Sequence, residues 1–135
     1  MTQKSVYVAG KVGKDLTVVK AVNARLQDMG YAITYDLSSE RGIRKPYLNH
    51  VETNRPYAMK MRNAATTCDV FVLLVGEDML DTAIVLGIAI GTSMTYPDKQ
   101  VYIVSSQDMR QSIFYTLPNV HLVGTVQDLY EALTL

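Results

Sequence analysis

Apolar and polar positions along this chain switch repeatedly between a strand-like and a helix-like period. Ser5-Val6-Tyr7-Val8-Ala9 is a short β-branched and aromatic run that stops at Gly10, which predicts a strand with a turn behind it. From Asp15 to Met29, Leu16, Val19, Val22, Leu26 and Met29 recur at helical spacing, and Gly30 supplies the stop. Ala32-Ile33-Thr34-Tyr35 predicts a second strand ending at Asp36. Residues 37–56 lose any clean period and hold Arg41, Gly42, Arg44, Lys45, Pro46, Asn54, Arg55 and Pro56. So long an irregular connection in a compact domain is usually a functional lid or a mobile loop. A short helix fits around Tyr47–Val51.

Pro56 can open the next helix, to about Thr67, because its missing N–H is not needed in a first turn. Val70–Val75 then reads as a buried strand, Gly76-Glu77-Asp78-Met79-Leu80-Asp81 as an acidic turn, and Asp81–Gly91 as a helix apolar enough to require a sheet beneath it. Gln100–Val104 predicts a fourth strand, Asp108–Tyr115 a short helix, Val120–Val123 a fifth strand and Val126–Leu133 a closing helix. Strands alternating with helices require a mostly parallel sheet covered on both faces. With right-handed crossovers, this is an α/β three-layer sandwich with a five-stranded, mostly parallel sheet of flavodoxin-like or Rossmann-like type. Residues 1–135 carry no repeat or linker and read as a single domain.

Composition narrows the class. The 135 residues are 48% apolar, yet no run of about 18 apolar residues exists to span a bilayer. Thirteen basic side chains balance thirteen acidic ones, so no global field recruits polymeric nucleic acid or an anionic membrane. Met1-Thr2-Gln3-Lys4-Ser5 lacks the apolar core of a secretory signal, and the expectation is a cytoplasmic protein. Cys68 is a lone cysteine at a helix-to-strand junction, which favours packing over reactivity. Neither His50 nor His121 has a second ligand at metal spacing, so no metal or cofactor is expected.

Several positions carry candidate chemistry. Gly10-Lys11-Val12-Gly13-Lys14-Asp15 follows a strand and opens a helix, a setting that suits a phosphate or carboxylate as well as it suits a plain turn capped by Asp15. It matches neither the P-loop nor the dinucleotide fingerprint. Glu77, Asp78 and Asp81 crowd the carboxyl end of the third strand, where small ligands bind in open α/β sheets. They can act as base or nucleophile, or serve as first-turn acids that cap the helix and meet its dipole, a reading favoured for Asp81. Arg41, Arg44, Lys45 and Arg55 can close over a phosphate or form a solvated loop. The Tyr7 hydroxyl either lines the crevice or finds a core partner.

Ser5-Val6-Tyr7-Val8-Ala9-Gly10, Cys68-Asp69-Val70-Phe71-Val72 and Leu86-Gly87-Ile88-Ala89-Ile90-Gly91, in that order and spacing, resemble the nucleoside 2-deoxyribosyltransferase-like family, which includes deoxynucleoside-monophosphate N-glycosidases. In that family a glutamate before the Leu-Gly pair attacks the anomeric carbon of the sugar, in the two-step manner of retaining glycosidases. The matching position here is Val85, and a second family carboxylate that holds sugar hydroxyls falls near Met61. The resemblance implies that Gly10, Lys11 and Val12 form the loop around sugar and phosphate, that Tyr7 lies beneath base or sugar, and that Ser112 falls near a segment reaching into a neighbouring subunit's site. It implies a homodimer or larger assembly, for which the apolar helix with Met94 and Tyr96 is suited. The functional expectation is a protein that binds a nucleoside or nucleotide without the usual nucleophile and acts by binding or assembly. The alternative is an active N-glycosidase or deoxyribosyltransferase with a relocated carboxylate at Asp81, Asp78 or Glu77.

Overall fold

In the computed structural model, which describes residues 3–10, 16–76, 79–106 and 112–134, the apolar run Val70–Leu74 is the central strand of a sheet. Among the described residues the strands are Ser5–Ala9 (β1), Ala32–Ile33 (β2), Val70–Leu74 (β3), Gln100–Val104 (β4) and Val120–Val123 (β5), in the spatial order β2-β1-β3-β4-β5. Every pairing is parallel, with Tyr7 opposite Phe71 and Val72 opposite Tyr102. This is the flavodoxin-like order, and its switch point lies between β1 and β3.

Four helices cover the sheet among the described residues: Thr17–Asp28 (α1), Val51–Thr67 (α2), Leu80–Thr95 (α3) and Val126–Thr134 (α4). The Arg25 guanidinium of α1 lies 5.5 Å from the ring centroid of Tyr130 in α4, so these two share one face. The helices α2 and α3 pack against each other on the opposite face. A Cβ on Gly10 would stand 2.8 Å from Val19 Cγ2, so Val6, Val8 and Gly10 point towards α1 by strand alternation. Tyr7 and Ala9 then point towards α2 and α3. Tyr7 and Phe71 stack edge-on at 5.6 Å and are the largest fully buried side chains.

Local chemistry explains the element ends. Gly30 adopts φ +100° after α1, and the Tyr31 N–H donates back to the Leu26 carbonyl. The stop was expected from its position; the left-handed conformation that makes it is one glycine adopts without strain. Elsewhere the boundaries moved. The second strand is only Ala32–Ile33, because Tyr35 and Asp36 leave the edge to enter the 3-10 turn Leu37–Ser39. Pro56 does not open α2 but sits inside it; the bond it forgoes is to the carbonyl of exposed Glu52, where water serves. Where a short helix was expected around Tyr47–Val51, the chain makes a 3-10 turn at Tyr47–Asn49 that leads into α2. Gly91 does not end α3, which runs on to Thr95 and stops where Pro97 drives Tyr96 out of helical geometry. Of the helix expected over Asp108–Tyr115, residues 107–111 lie outside the described set, and Ile113–Thr116 forms a 3-10 turn.

Lys99 is 4% exposed, and its ammonium donates to the carbonyls of Ala65 (2.6 Å) and Thr66 (3.1 Å), closing the last turn of α2. Burial pushes its pKa down. Lys99→Met keeps the apolar stem and removes the donor, stranding a buried carbonyl. Urea unfolding should show a loss of about 1–3 kcal/mol.

Candidate functional site

The residues at the carboxyl end of β1 and β3 frame the crevice. Gly10 closes β1 with no room for a side chain on its α1 side. Beyond β3, the Val75 N–H donates to the Val104 carbonyl (3.1 Å), and the Gly76 N–H donates to Met79 Sδ (3.4 Å). The Thr82 hydroxyl donates to the Met79 carbonyl (3.2 Å), so a methionine and a threonine organise the entry to α3. Asp81 is therefore not the cap it was expected to be. Met79 occupies that position without a side-chain hydrogen bond, and Asp81 sits exposed in the first turn, where its charge meets the helix dipole.

One turn after Asp81 on α3 comes Val85, 8% exposed. The two line one cavity of about 290 Å³ together with Ile84 and Ile88. Its other wall is α2, through Asn54, Tyr57, Ala58, Met61 and Arg62, and its rim is Ile43 and Tyr47 from the long β2–α2 connection. The volume is close to the lower end of small-molecule sites, about 300–1,000 Å³. The lining is mostly apolar, and its polar groups belong to Asn54, Arg62, Asp81 and the two tyrosines, Tyr47 and Tyr57.

The rim is tied to α2. Asn54 Oδ1 accepts from the Arg44 N–H (2.9 Å), and its Nδ2 donates to the carbonyls of Arg44 (2.8 Å) and Tyr47 (3.1 Å). One amide thus replaces the backbone partners that the irregular loop lacks. Tyr57 packs directly on Gly42, where a Cβ would overlap its hydroxyl at 2.0 Å. Asn54→Ala should release the 43–47 segment and weaken binding of any ligand of this cavity by about tenfold, one lost set of hydrogen bonds at about 1–1.5 kcal/mol. Faster amide exchange confined to residues 43–47 would register the release directly.

The sequence-derived residues separate in space. Met61, Asp81 and Val85, distant in the chain, meet in this cavity. Tyr7 does not line it: the residue is 1% exposed, wedged between Tyr35 and Phe71, and burial pushes its phenol well above the ordinary range. Ser112 caps its own 3-10 turn, its hydroxyl accepting from the Phe114 N–H (3.2 Å). Lys11, Val12, Asp15, Glu77 and Asp78 lie outside the described residues. Of the basic loop, Arg41 donates to the carbonyls of Ser38 and Glu40, and Lys45 lies over the Tyr47 ring at 5.6 Å. Neither lines the cavity.

Sequence reasoning missed Asn54, Tyr57, Ala58 and Arg62. Together with Met61 they recur at helical spacing, a signal hidden by starting the helix at Pro56 instead of Val51. His121 Nε2 and Gln100 Oε1 share a hydrogen bond (2.5 Å) between β5 and β4, a structural role.

No protein-family model matches the sequence, and no curated protein matches it. Similarity appears among solved structures. The CMP N-glycosidase BcmB of Clostridium botulinum superposes with a TM-score of 0.66 at 15% identity, covering 98% of this chain and 100% of that one. The 2-deoxyribosyltransferase of Bacillus psychrosaccharolyticus superposes with a TM-score of 0.60 at 15% identity, covering 93% of this chain and 89% of that one. The chain therefore has, over nearly its whole length, the flavodoxin-like fold that these two nucleoside-related enzymes also have.

Proposed function

We propose that the chain binds a nucleoside or nucleotide in the α2–α3 cavity and lacks the nucleophile by which the nucleoside 2-deoxyribosyltransferase-like family cleaves the N-glycosidic bond. One observation carries this reading: Met61 and Val85, the positions matched to the family's two carboxylates, line the same cavity. The two residues lie on the facing sides of the neighbouring helices α2 and α3, as that correspondence requires. Apolar side chains at both positions can supply neither the attacking carboxylate nor the one that holds sugar hydroxyls. Binding or assembly is then the activity. The exposed Leu80, Ile84, Met94 and Tyr96 of the α3 segment support a homodimer or larger homo-oligomer. Charge balance supports a small-molecule ligand over nucleic acid or an anionic membrane, and among the described residues no helix is long and apolar enough to cross a membrane.

A second reading rests on Asp81, the carboxylate in the cavity lining. There the protein is an active N-glycosidase or deoxyribosyltransferase whose carboxylate has moved one helical turn.

The test pairs thermal shift with chromatography. Nucleosides and their 5′-monophosphates at millimolar concentration should raise Tm, as any ligand of the native state does, without release of free base. No shift across that panel overturns the reading. Base release by the native protein that is lost in Asp81→Asn selects the second.

A further inference from the structure

Charge is divided unevenly along this neutral chain. Eleven of the thirteen Lys and Arg precede Asp69, while eight of the thirteen Asp and Glu lie from Asp69 onwards. The same point divides the sheet. Residues before Asp69 build β1, β2, α1 and α2, and those after it build β3, β4, β5, α3 and α4. With the order β2-β1-β3-β4-β5, the first group forms the β2 flank and the second the β5 flank. Among the described residues of the β5 flank, Asp69, Asp81, Asp98, Asp128 and Glu131 are exposed, and the only cation, Lys99, is buried. The division in sequence is a division in space, with one basic flank and one acidic flank.

Each flank also exposes apolar side chains. On the basic side, Arg55, Pro56, Met59 and Lys60, with Glu52 and Asn63, line a shallow groove of about 520 Å³ along the outer stripe of α2. Met59 is 45% exposed. On the acidic side, the 3-10 turn Ile113–Thr116 packs against the edge strand β5 and leaves Ile113 79% and Phe114 61% exposed. A polyanion meets the cations of the β2 flank but leaves Met59 in water. An acidic protein surface with an apolar centre meets both.

We propose that a second copy of this chain docks its Ile113–Phe114 turn into the α2 groove, head to tail, with its acidic β5 flank against the basic β2 flank. The two surfaces differ, so the contact is heterologous. Each copy in a pair keeps one partner surface free, and association continues until a ring closes or a filament grows. The opposite charges steer the encounter, and the apolar turn holds it. None of the groove residues lines the α2–α3 cavity, so the contact does not depend on the nucleoside reading.

Sedimentation velocity over a range of protein concentrations tests the proposal. Raising salt from about 50 to about 500 mM should weaken this association at least tenfold, whereas an apolar contact through α3 persists. Phe114→Ser, which removes the plug, and Arg55→Glu/Lys60→Glu, which reverses the groove's charge, should each stop growth beyond the assembly seen at high salt. All three positions are exposed, so the variants should keep the native Tm. Mixed together, the two variants should form one new contact and no longer chain. The first keeps a native groove and the second a native turn, a complementation that an isologous interface does not give. Association that ignores salt, persists in Phe114→Ser or is absent at submillimolar protein overturns the proposal, as does a mixture that forms no contact. Binding of a single-stranded RNA oligomer without self-association assigns the basic flank to a polyanion and overturns it equally.

Discussion

Val85→Glu should change both stability and chemistry. Val85 is 8% exposed and faces a wall of Met61, Ile84 and Ile88, with no cation positioned to pair with a new carboxylate except Arg62 at the cavity's edge. Arg62 is already engaged with Asn63, through Nε (3.2 Å) and Nη2 (3.1 Å). Placing an ionised carboxylate there should cost about 3 kcal/mol, or roughly 10 °C in Tm for a domain of this size. Desolvation raises the new group's folded-state pKa above its unfolded value near 4.3. The penalty is therefore full above the folded pKa, shrinks as pH falls through it, and vanishes below about 4.3. A pH series of melting curves checks this directly. On the chemical side, free base should appear when the variant, and not the native protein, is incubated with nucleosides or their 5′-monophosphates. A variant that folds, binds and releases no base would place the bound anomeric carbon away from α3 and overturn the proposed pose.

Tyr7→Ala is expected to have the largest effect on stability. The Tyr7 ring meets Tyr35 at 6.1 Å and Phe71 at 5.6 Å, both edge-on, in the middle of β1. Emptying that volume should cost about 3–5 kcal/mol, a large part of a typical domain's stability. Tyr7→Phe should stay within about 1.5 kcal/mol of the native protein, since the ring contacts persist. The sign of its pH dependence follows from burial, which raises the Tyr7 phenol, with neighbouring Cys68 adding to the rise. The unfolded chain ionises first, so this residue's contribution is intact below about pH 10 and is lost as pH climbs further. Tyr7→Phe should flatten part of that alkaline fall. The converse pattern, stability kept in Tyr7→Phe and nucleoside binding lost, would return Tyr7 to the ligand site.

A common cause connects these two positions. Both stood out in the sequence as candidates for chemistry, and both lie on elements that end at the crevice. Strand alternation turned Tyr7 inward among aromatic rings, whereas helical spacing turned Val85 towards α2. A residue's rank in a motif does not reveal which way its side chain faces.

Period and punctuation alone determined the architecture. Alternation in Ser5–Ala9, the unbroken apolar run from Val70, the helical recurrence of Val19, Val22 and Leu26, and the left-handed stop at Gly30 are local signals, each set by backbone geometry or by which face is buried. The parallel sheet follows from them, because strands joined each time by a crossover helix run in the same direction. The extent of α2 and α3 did not follow. Pro56 and Gly91 are helix breakers by propensity, costing about 3 and 1 kcal/mol, and tertiary packing of Ala64, Ala65, Ala89 and Ser93 overrode both. Only the fold could bring Met61, Asp81 and Val85 into one cavity, since their proximity is a product of two helices crossing the same sheet face. Only the fold could bury Asn23 Oδ1 without a donor, because a polar atom's need for a partner is a property of its surroundings and not of its residue type.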